Sequence, residues 1–272
     1  MRVPSVALII NEIQWPRTPA PQILMGAVTL LITAEAHSFY AGSAGFKTIA
    51  SFAFLSAGVR ATLAQGIDIF DWLSWTECAN QASLFLTAGL VFSLFGDILL
   101  IPSREAYYAA VPSEEEGQSL RFKAGTFFFA LAHIAYVGSF FAGAPHVRWA
   151  EFTATLLFGA VTVKLLGIMD RNPRPNALFA VPEDMRRLVA TYVAIIWTMV
   201  ATATATDTGT QKILGGWMFM ISDLFVASDV FGPKKTNIKE YTKPGQGRQG
   251  WKARGIGWIA YFGAQLVLAG SI

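Results

Sequence analysis

Charge and reactive side chains are scarce in this chain of 272 residues. Only 14% of it is charged, there is a single cysteine, Cys78, and there are three histidines, His37, His133 and His146. One cysteine excludes an intrachain disulfide framework. Three scattered histidines without HExxH or HxxxH spacing give no support to a zinc hydrolase site, which needs about three protein ligands and an open position. A glycine-rich phosphate loop and a GxSxG nucleophile elbow are also missing. The net charge of +3 is too small to suggest a nucleic-acid partner. A soluble domain carries about a quarter charged residues. What fills the gap is apolar: 53% of the chain is hydrophobic and the mean hydropathy is +0.44.

The apolar residues fall into runs near twenty, the length at which a helix rising 1.5 Å per residue crosses a hydrocarbon core of about 30 Å. The expected fold is all-α, a polytopic transmembrane helical bundle. Residues 1–21 form a short lead-in interrupted by Pro16, Pro19 and Pro21, and residues 22–272 form one transmembrane domain. Eight spans are expected, over Gln22–Tyr40, Phe46–Ala64, Ala82–Ile101, Ala124–Gly143, Ala150–Met169, Leu188–Thr206, Ile213–Phe231 and Gly255–Ser271. Glu35 dilutes the first and threonines the sixth, so seven spans also fit.

Positive charge is distributed unevenly between the two sets of loops. Arg104, Arg121 and Lys123 follow span three, and Arg171, Arg174, Arg186 and Arg187 follow span five. Lys234, Lys235, Lys239, Lys243, Arg248, Lys252 and Arg254 follow span seven. The opposite loops hold isolated positives such as Arg60, Arg148 and Lys212. The positive-inside rule makes the first set cytoplasmic. The expected location is an integral, multi-pass membrane protein, in the endoplasmic reticulum if the host is a eukaryote.

A charged group at the bilayer centre costs about 2.5–3.5 kcal/mol or more, so ionisable residues inside spans are functional hypotheses by default. Asp97 stands about one turn from the cytoplasmic end of span three, Asp223 near the middle of span seven, and His133 mid-span on span four with Tyr136 on the same face. Lys47 opens span two and Tyr192 lies early in span six. Tyr261 and Gln265 share a face of span eight, and Glu35 and His37 lie near the cytoplasmic end of span one. Such groups can also act only as glue between the helices of a lipid-binding membrane protein, or form a proton relay in a small proton-coupled transporter or channel. A snorkelling Lys47 and interfacial or packing tyrosines are the bland alternatives. No inverted repeat or matched pair of broken spans points to a transporter.

The ordered elements SLFGDILLI, KAGTFFFALAHIAYVGSFF, LGGWMFMISDLFVASDVF and YFGAQLVLAG resemble the YhhN-like lysoplasmalogenase family from about Phe46 to the end. The matching positions are Gly96–Asp97, His133 with Tyr136, Ser222–Asp223, and Tyr261 with Gln265. Where the family pattern has lysine followed by proline, this chain has Lys47–Thr48. The resemblance implies hydrolysis of the vinyl ether bond of a lysoplasmalogen, giving a fatty aldehyde and glycerophosphocholine or glycerophosphoethanolamine. It implies a lysophospholipid and the bilayer as partners, and neither metal nor cofactor. Asp97, Asp223 and His133 are then the expected catalytic residues, with Asp223 as acid, Asp97 as stabiliser or base, and His133 orienting water or a carboxylate. Lys47, Tyr136, Tyr192, Tyr261 and Gln265 are the expected substrate-binding residues. Two carboxyl groups can divide such work, as they do in glycosidases.

Overall fold

The structure, a computed structural model, describes residues 13–108, 119–170, 178–207, 209–232 and 250–272. Arg171, Arg174, Lys234, Lys235, Lys239, Lys243 and Arg248, on which part of the charge asymmetry rests, lie outside the described residues. The described residues form helices, and the only β pairing among them is an isolated bridge between Val147 and Thr206. The long helices are α1 (Ala20–Ala36), α2 (Tyr40–Ala64), α4 (Cys78–Leu99), α6 (Leu120–Ala142), α7 (Trp149–Leu165), α8 (Arg186–Ala205), α9 (Thr210–Phe231) and α10 (Trp251–Ala269). Two short helices, α3 (Trp72–Thr76) and α5 (Arg104–Tyr108), sit in the connections.

Each expected span corresponds to one long helix. By length and apolarity, α4, α6, α8 and α9 can cross a membrane, and α1 is a shorter apolar helix. The others carry charge along their length: Lys47 and Arg60 in α2, Glu151 and Lys164 in α7, Lys252 and Arg254 in α10. Length and composition therefore establish a membrane protein but not eight crossings. Large apolar side chains such as Ile49, Phe52, Phe127, Ile134, Leu157, Phe158 and Ile259 face outward, as expected where lipid replaces water.

The helices close into a ring. Neighbours pack in the order α1, α2, α4, α6, α8, α9, α10 and back to α1, with α7 flanking α8. Helix α10 also touches α2 and α4, so it plugs the ring from one side. The turn between α1 and α2 is a Schellman closure: Phe39 N–H bonds the Ala34 carbonyl at 2.8 Å, and Ser38 N–H bonds Glu35 at 3.2 Å. Ser38 adopts φ of 53°, the left-handed conformation that this closure requires. The chain doubles back sharply enough for the Ser43 hydroxyl to hydrogen-bond the Glu35 carboxylate.

Two starting points differ from the sequence expectation. Helix α2 begins at Tyr40, so Lys47 lies two turns inside it instead of opening it. Helix α10 begins at Trp251, which moves Arg254 from a loop into the first turn of a helix. In both cases small or polar residues ahead of the apolar run (Gly42, Ser43, Arg254) continue the helix, because α1 gives those of α2 and α10 contacts that hydropathy does not register.

Without a hydrophobic drive between helices in lipid, association depends on close packing and on small residues. The α4–α6 pair shows this clearly. Gly89 and Gly96, seven apart on α4, lie under the rings of Tyr136 and Phe129 of α6. A methyl group at Gly89 would lie 2.2 Å from Tyr136 Cε1, whereas one at Gly26 meets nothing within 4 Å. Overpacking a filled interface costs about 1–3 kcal/mol. Gly89→Val should therefore lower the thermal unfolding midpoint of the purified protein, and Gly26→Ala should leave it unchanged; equal behaviour of the two would contradict this packing.

Candidate functional site

The buried polar residues divide between two clusters on one cavity. The first surrounds Asp97, which is 1% exposed near the end of α4. Its Oδ1 lies 3.4 Å from Lys47 Nζ, an ion pair between α2 and α4. Its Oδ2 accepts hydrogen bonds from Ser51 Oγ at 2.7 Å and Tyr261 OH at 2.6 Å. The Lys47 ammonium also stands 5.1 Å from the centre of the Trp258 ring, within cation–π range.

A chain of hydrogen bonds continues behind this cluster. Tyr136 OH donates to Gln265 Oε1 at 2.7 Å, and Gln265 Nε2 donates to Tyr261 OH at 3.2 Å. Tyr136 OH also meets Ser93 Oγ at 3.2 Å. Each donor in turn points toward Asp97, so the chain fixes the Tyr261 hydroxyl with its proton on the carboxylate. The amide orientation of Gln265 follows from this network.

The second cluster is centred on Asp223 of α9. Tyr192 OH on α8 donates to Asp223 Oδ2 at 3.3 Å, and His133 Nε2 on α6 lies 3.6 Å from the same oxygen. His133 Nδ1 is 2.5 Å from the Phe129 carbonyl, which assigns the ring proton to Nδ1 and leaves Nε2 as an acceptor. Nε2 is buried and has no hydrogen-bond partner among the described residues. The imidazole is packed against Phe219, with ring centres 4.6 Å apart, and against Tyr192 at 5.6 Å.

Both clusters face a cavity of about 560 Å³. Lys47, Asp97, Tyr192, Asp223 and Tyr261 are among its lining residues, joined by Glu35 and Arg254. Toward the bundle interior the lining turns apolar, with Val193, Ile196, Trp197 and Met220. At its other end Tyr40, Pro102, Phe179 and Val181 form the rim. The segment leading into α8 is held there by Ala180 N–H bonded to the Phe231 carbonyl at 2.8 Å.

The cavity separates the sequence-expected residues by position. His133, Tyr136 and Gln265 do not line it. His133 stands behind Asp223 and Tyr192, which suits it to orienting the carboxyl and not a water in the cavity. Tyr136 and Gln265, expected to bind substrate, instead orient Tyr261 from behind, because the Phe219 and Tyr261 rings stand between helices α6, α9 and α10. The helix bounds keep the expected order of depth, with Asp97 two residues from the end of α4 and Asp223 eight from the end of α9, but exposure runs the other way. The Asp97 side chain is 2% exposed and that of Asp223 18%, since closeness to a span end says little about cover by neighbouring helices.

Three participants escaped the sequence. Ser51 lies one turn beyond Lys47, and Ser93 one turn before Asp97, on the same helical faces. The third is an ion pair at the cavity wall, with Arg254 Nη1 on α10 2.9 Å from Glu35 Oε2 on α1. The spacing Arg254, Trp258, Tyr261, Gln265 was the available signal, because it lays all four along one stripe of α10.

A helical membrane protein with a polar cavity inside its helix bundle is thus the class defined by the fold and site. The chain belongs to the YhhN family, whose family model matches residues 55–272. Asp97, His133, Tyr192, Asp223, Tyr261 and Gln265 fall within the matched region, while Lys47 and Ser51 precede it. No curated protein and no solved structure matches the chain.

Removing one partner of a buried ion pair costs about 3–5 kcal/mol, because the other charge is left uncompensated. Lys47→Met should therefore lower the unfolding midpoint in detergent more than Asp97→Asn combined with Lys47→Met. A double variant as unstable as the single one would show that Lys47 does not compensate Asp97.

Proposed function

We propose that this protein is a membrane hydrolase cleaving the vinyl ether bond of lysoplasmalogens. One observation carries the reading: two aspartates from different helices, each in a different polar setting, line one cavity whose wall is otherwise largely apolar. A lysolipid with a polar head and a single hydrocarbon chain matches that mixture of charged and apolar wall. The eight-span topology, with the basic loops in the cytoplasm, would open the rim at Tyr40 and Pro102 toward the cytoplasmic surface, where a lysolipid can enter from the cytoplasmic leaflet.

Vinyl ether hydrolysis begins with proton transfer to the β-carbon, which leaves an oxocarbenium ion. Water then adds to the carbon bonded to oxygen, and the resulting hemiacetal releases the glycerol hydroxyl and the aldehyde. The first step needs a proton donor; the second needs a negative charge near the cation and a base for water. Asp223 is assigned the donor role. An Nε2 acceptor on His133 complements a carboxyl that carries a proton, and Tyr192 fixes the carboxyl from the α8 side. Asp97 is assigned the stabiliser and base. Lys47, Ser51 and Tyr261 supply it with a cation and two donors, the set suited to holding negative charge. In one turnover the Asp223 proton goes to carbon and a water proton goes to Asp97; exchange with solvent restores both. Lys47 and Tyr192 face the cavity and are assigned to substrate contact.

General acid–base residues contribute about 10²–10⁴-fold to rate. Purified protein should release aldehyde from a lysoplasmalogen and leave its saturated ether analogue intact. Asp97→Asn and Asp223→Asn should each lower kcat by about 10²-fold or more. Near wild-type turnover in both variants would overturn the assignment. Lack of any aldehyde release, accompanied by proton-coupled flux in liposomes, would favour a transporter.

A further inference from the structure

Ile168, Phe179, Val181 and Met185 form a hydrophobic cluster apart from the main core, with partly buried neighbours from the start of α6, the end of α7, the start of α8 and the end of α9. Every member except Met169 also lines the cavity, so the cluster is an apolar wall and not a closed core. The charged lining residues are placed differently. Glu35, Lys47, Asp97 and Arg254 stand on α1, α2, α4 and α10, which are neighbours in the ring, and Asp223 and Asp229 stand on α9, where the two sides meet.

The deep end of the cavity is short and sealed. On α8 the lining ends at Trp197, whose ring packs against Phe158 and Trp217 with centres 5.9 and 6.0 Å apart. Gly159 of α7 lies against the same ring, where a methyl group would come within 2.3 Å of Trp197 Cδ2. Tyr192, which holds Asp223, is five residues before Trp197, roughly 7.5 Å along the helix. That depth takes a short piece of hydrocarbon and not the chain of a membrane lipid. Toward the wall there is no such seal. In α7 Thr155 and Gly159 are the buried residues, and the two turns after Gly159 are half-buried or exposed. Val163 and Leu166 face the cavity there, while Val161 and Leu165, 55% and 81% exposed, face outward.

We propose that the wall formed by the end of α7, residues 178–185 and the start of α8 is the subsite for the hydrocarbon chain of the lipid, which runs along it and ends in the bilayer beside α7. The proposal deepens the hydrolase reading and rests on it for the identity of the lipid. A chain that moves from lipid into protein gains little from leaving water, so its path has to be apolar and free of unpaired polar groups. The wall meets that requirement with aliphatic and phenyl side chains, and the Ala180 N–H of the connecting segment is spent on the Phe231 carbonyl at 2.8 Å. Asp223 stands where the wall joins the charged side, so a bond held beside it has its chain on the wall and its polar end toward the rim at Tyr40 and Pro102.

The test reads binding without turnover. The full chain in nanodiscs is titrated with two saturated ethers, 1-O-hexadecyl- and 1-O-butyl-glycerophosphocholine. Leu188→Trp on α8 and Val163→Trp on α7 each put an indole into the wall. Each should weaken hexadecyl binding by about tenfold, the cost of overfilling a shaped apolar space, and leave butyl binding unchanged because the short chain ends before the wall. Partition into the nanodisc is common to wild type and variants and cancels. A hexadecyl lipid with a diazirine midway along its chain gives a second measurement on wild type, which decides the matter if neither variant folds. Light should attach it to residues 163–168 or 178–189. Attachment at the deep end, to residues 193–197 or 217–220, overturns the subsite, as does equal hexadecyl binding by wild type and folded variants. If the chain is found on the wall but no vinyl ether is cleaved, the subsite stands and the hydrolase reading falls. Cleavage with the chain at the deep end means the reverse.

Discussion

A carboxylate fully covered by protein in an apolar bundle persists only where other groups replace the water it has lost. Asp97 obtains those groups from two neighbouring helices at once: Lys47 and Ser51 from α2, and Tyr261 from α10. Tyr261 is in turn fixed by Gln265, and Gln265 by Tyr136 of α6. Satisfying this one side chain therefore sets the register of four helices against one another. The position of α10 against both α2 and α4 follows from the same requirement, and so does the cavity that opens beside it.

The second aspartate is held differently. Asp223 has one hydroxyl donor and an imidazole nitrogen 3.6 Å away, and its side chain is more exposed than that of Asp97. Two identical side chains thus stand in unlike surroundings, which is the usual way for a site to assign different roles to a pair of carboxyl groups. The glycines of α4 support this indirectly. They let α6 approach closely enough for the Tyr136 hydroxyl to reach the network and for His133, one turn earlier, to reach Asp223.

Much of this was legible in the sequence. Long apolar runs announce membrane helices, and the few ionisable residues inside them stand out because lipid makes them expensive. Asp97, Asp223, Lys47, Tyr192 and Tyr261 all reach the cavity, as their placement suggested. What hydropathy could not supply was the side from which each residue acts. His133, Tyr136 and Gln265 share helical faces with cavity residues, yet bulky rings such as Phe219 stand between them and the space. Nor could it show that Arg254 belongs to a helix: a cation beside a basic loop reads as part of that loop until its buried partner, Glu35, is seen. Serines such as Ser51 carry no hydropathy signal, and their role appears only when a carboxylate is found opposite them.

The central claim is that the cavity protonates a vinyl ether at carbon and delivers water to the adjacent carbon. Isotope labelling of the products tests it most directly. Turnover of a lysoplasmalogen in heavy water, with immediate borohydride trapping of the aldehyde, should place one deuterium on the carbon next to the former carbonyl. In 18O-labelled water, the label should enter the aldehyde-derived oxygen and be absent from the released glycerol hydroxyl. Label in that glycerol hydroxyl, or an aldehyde without the new deuterium, would contradict the mechanism assigned to Asp223 and Asp97.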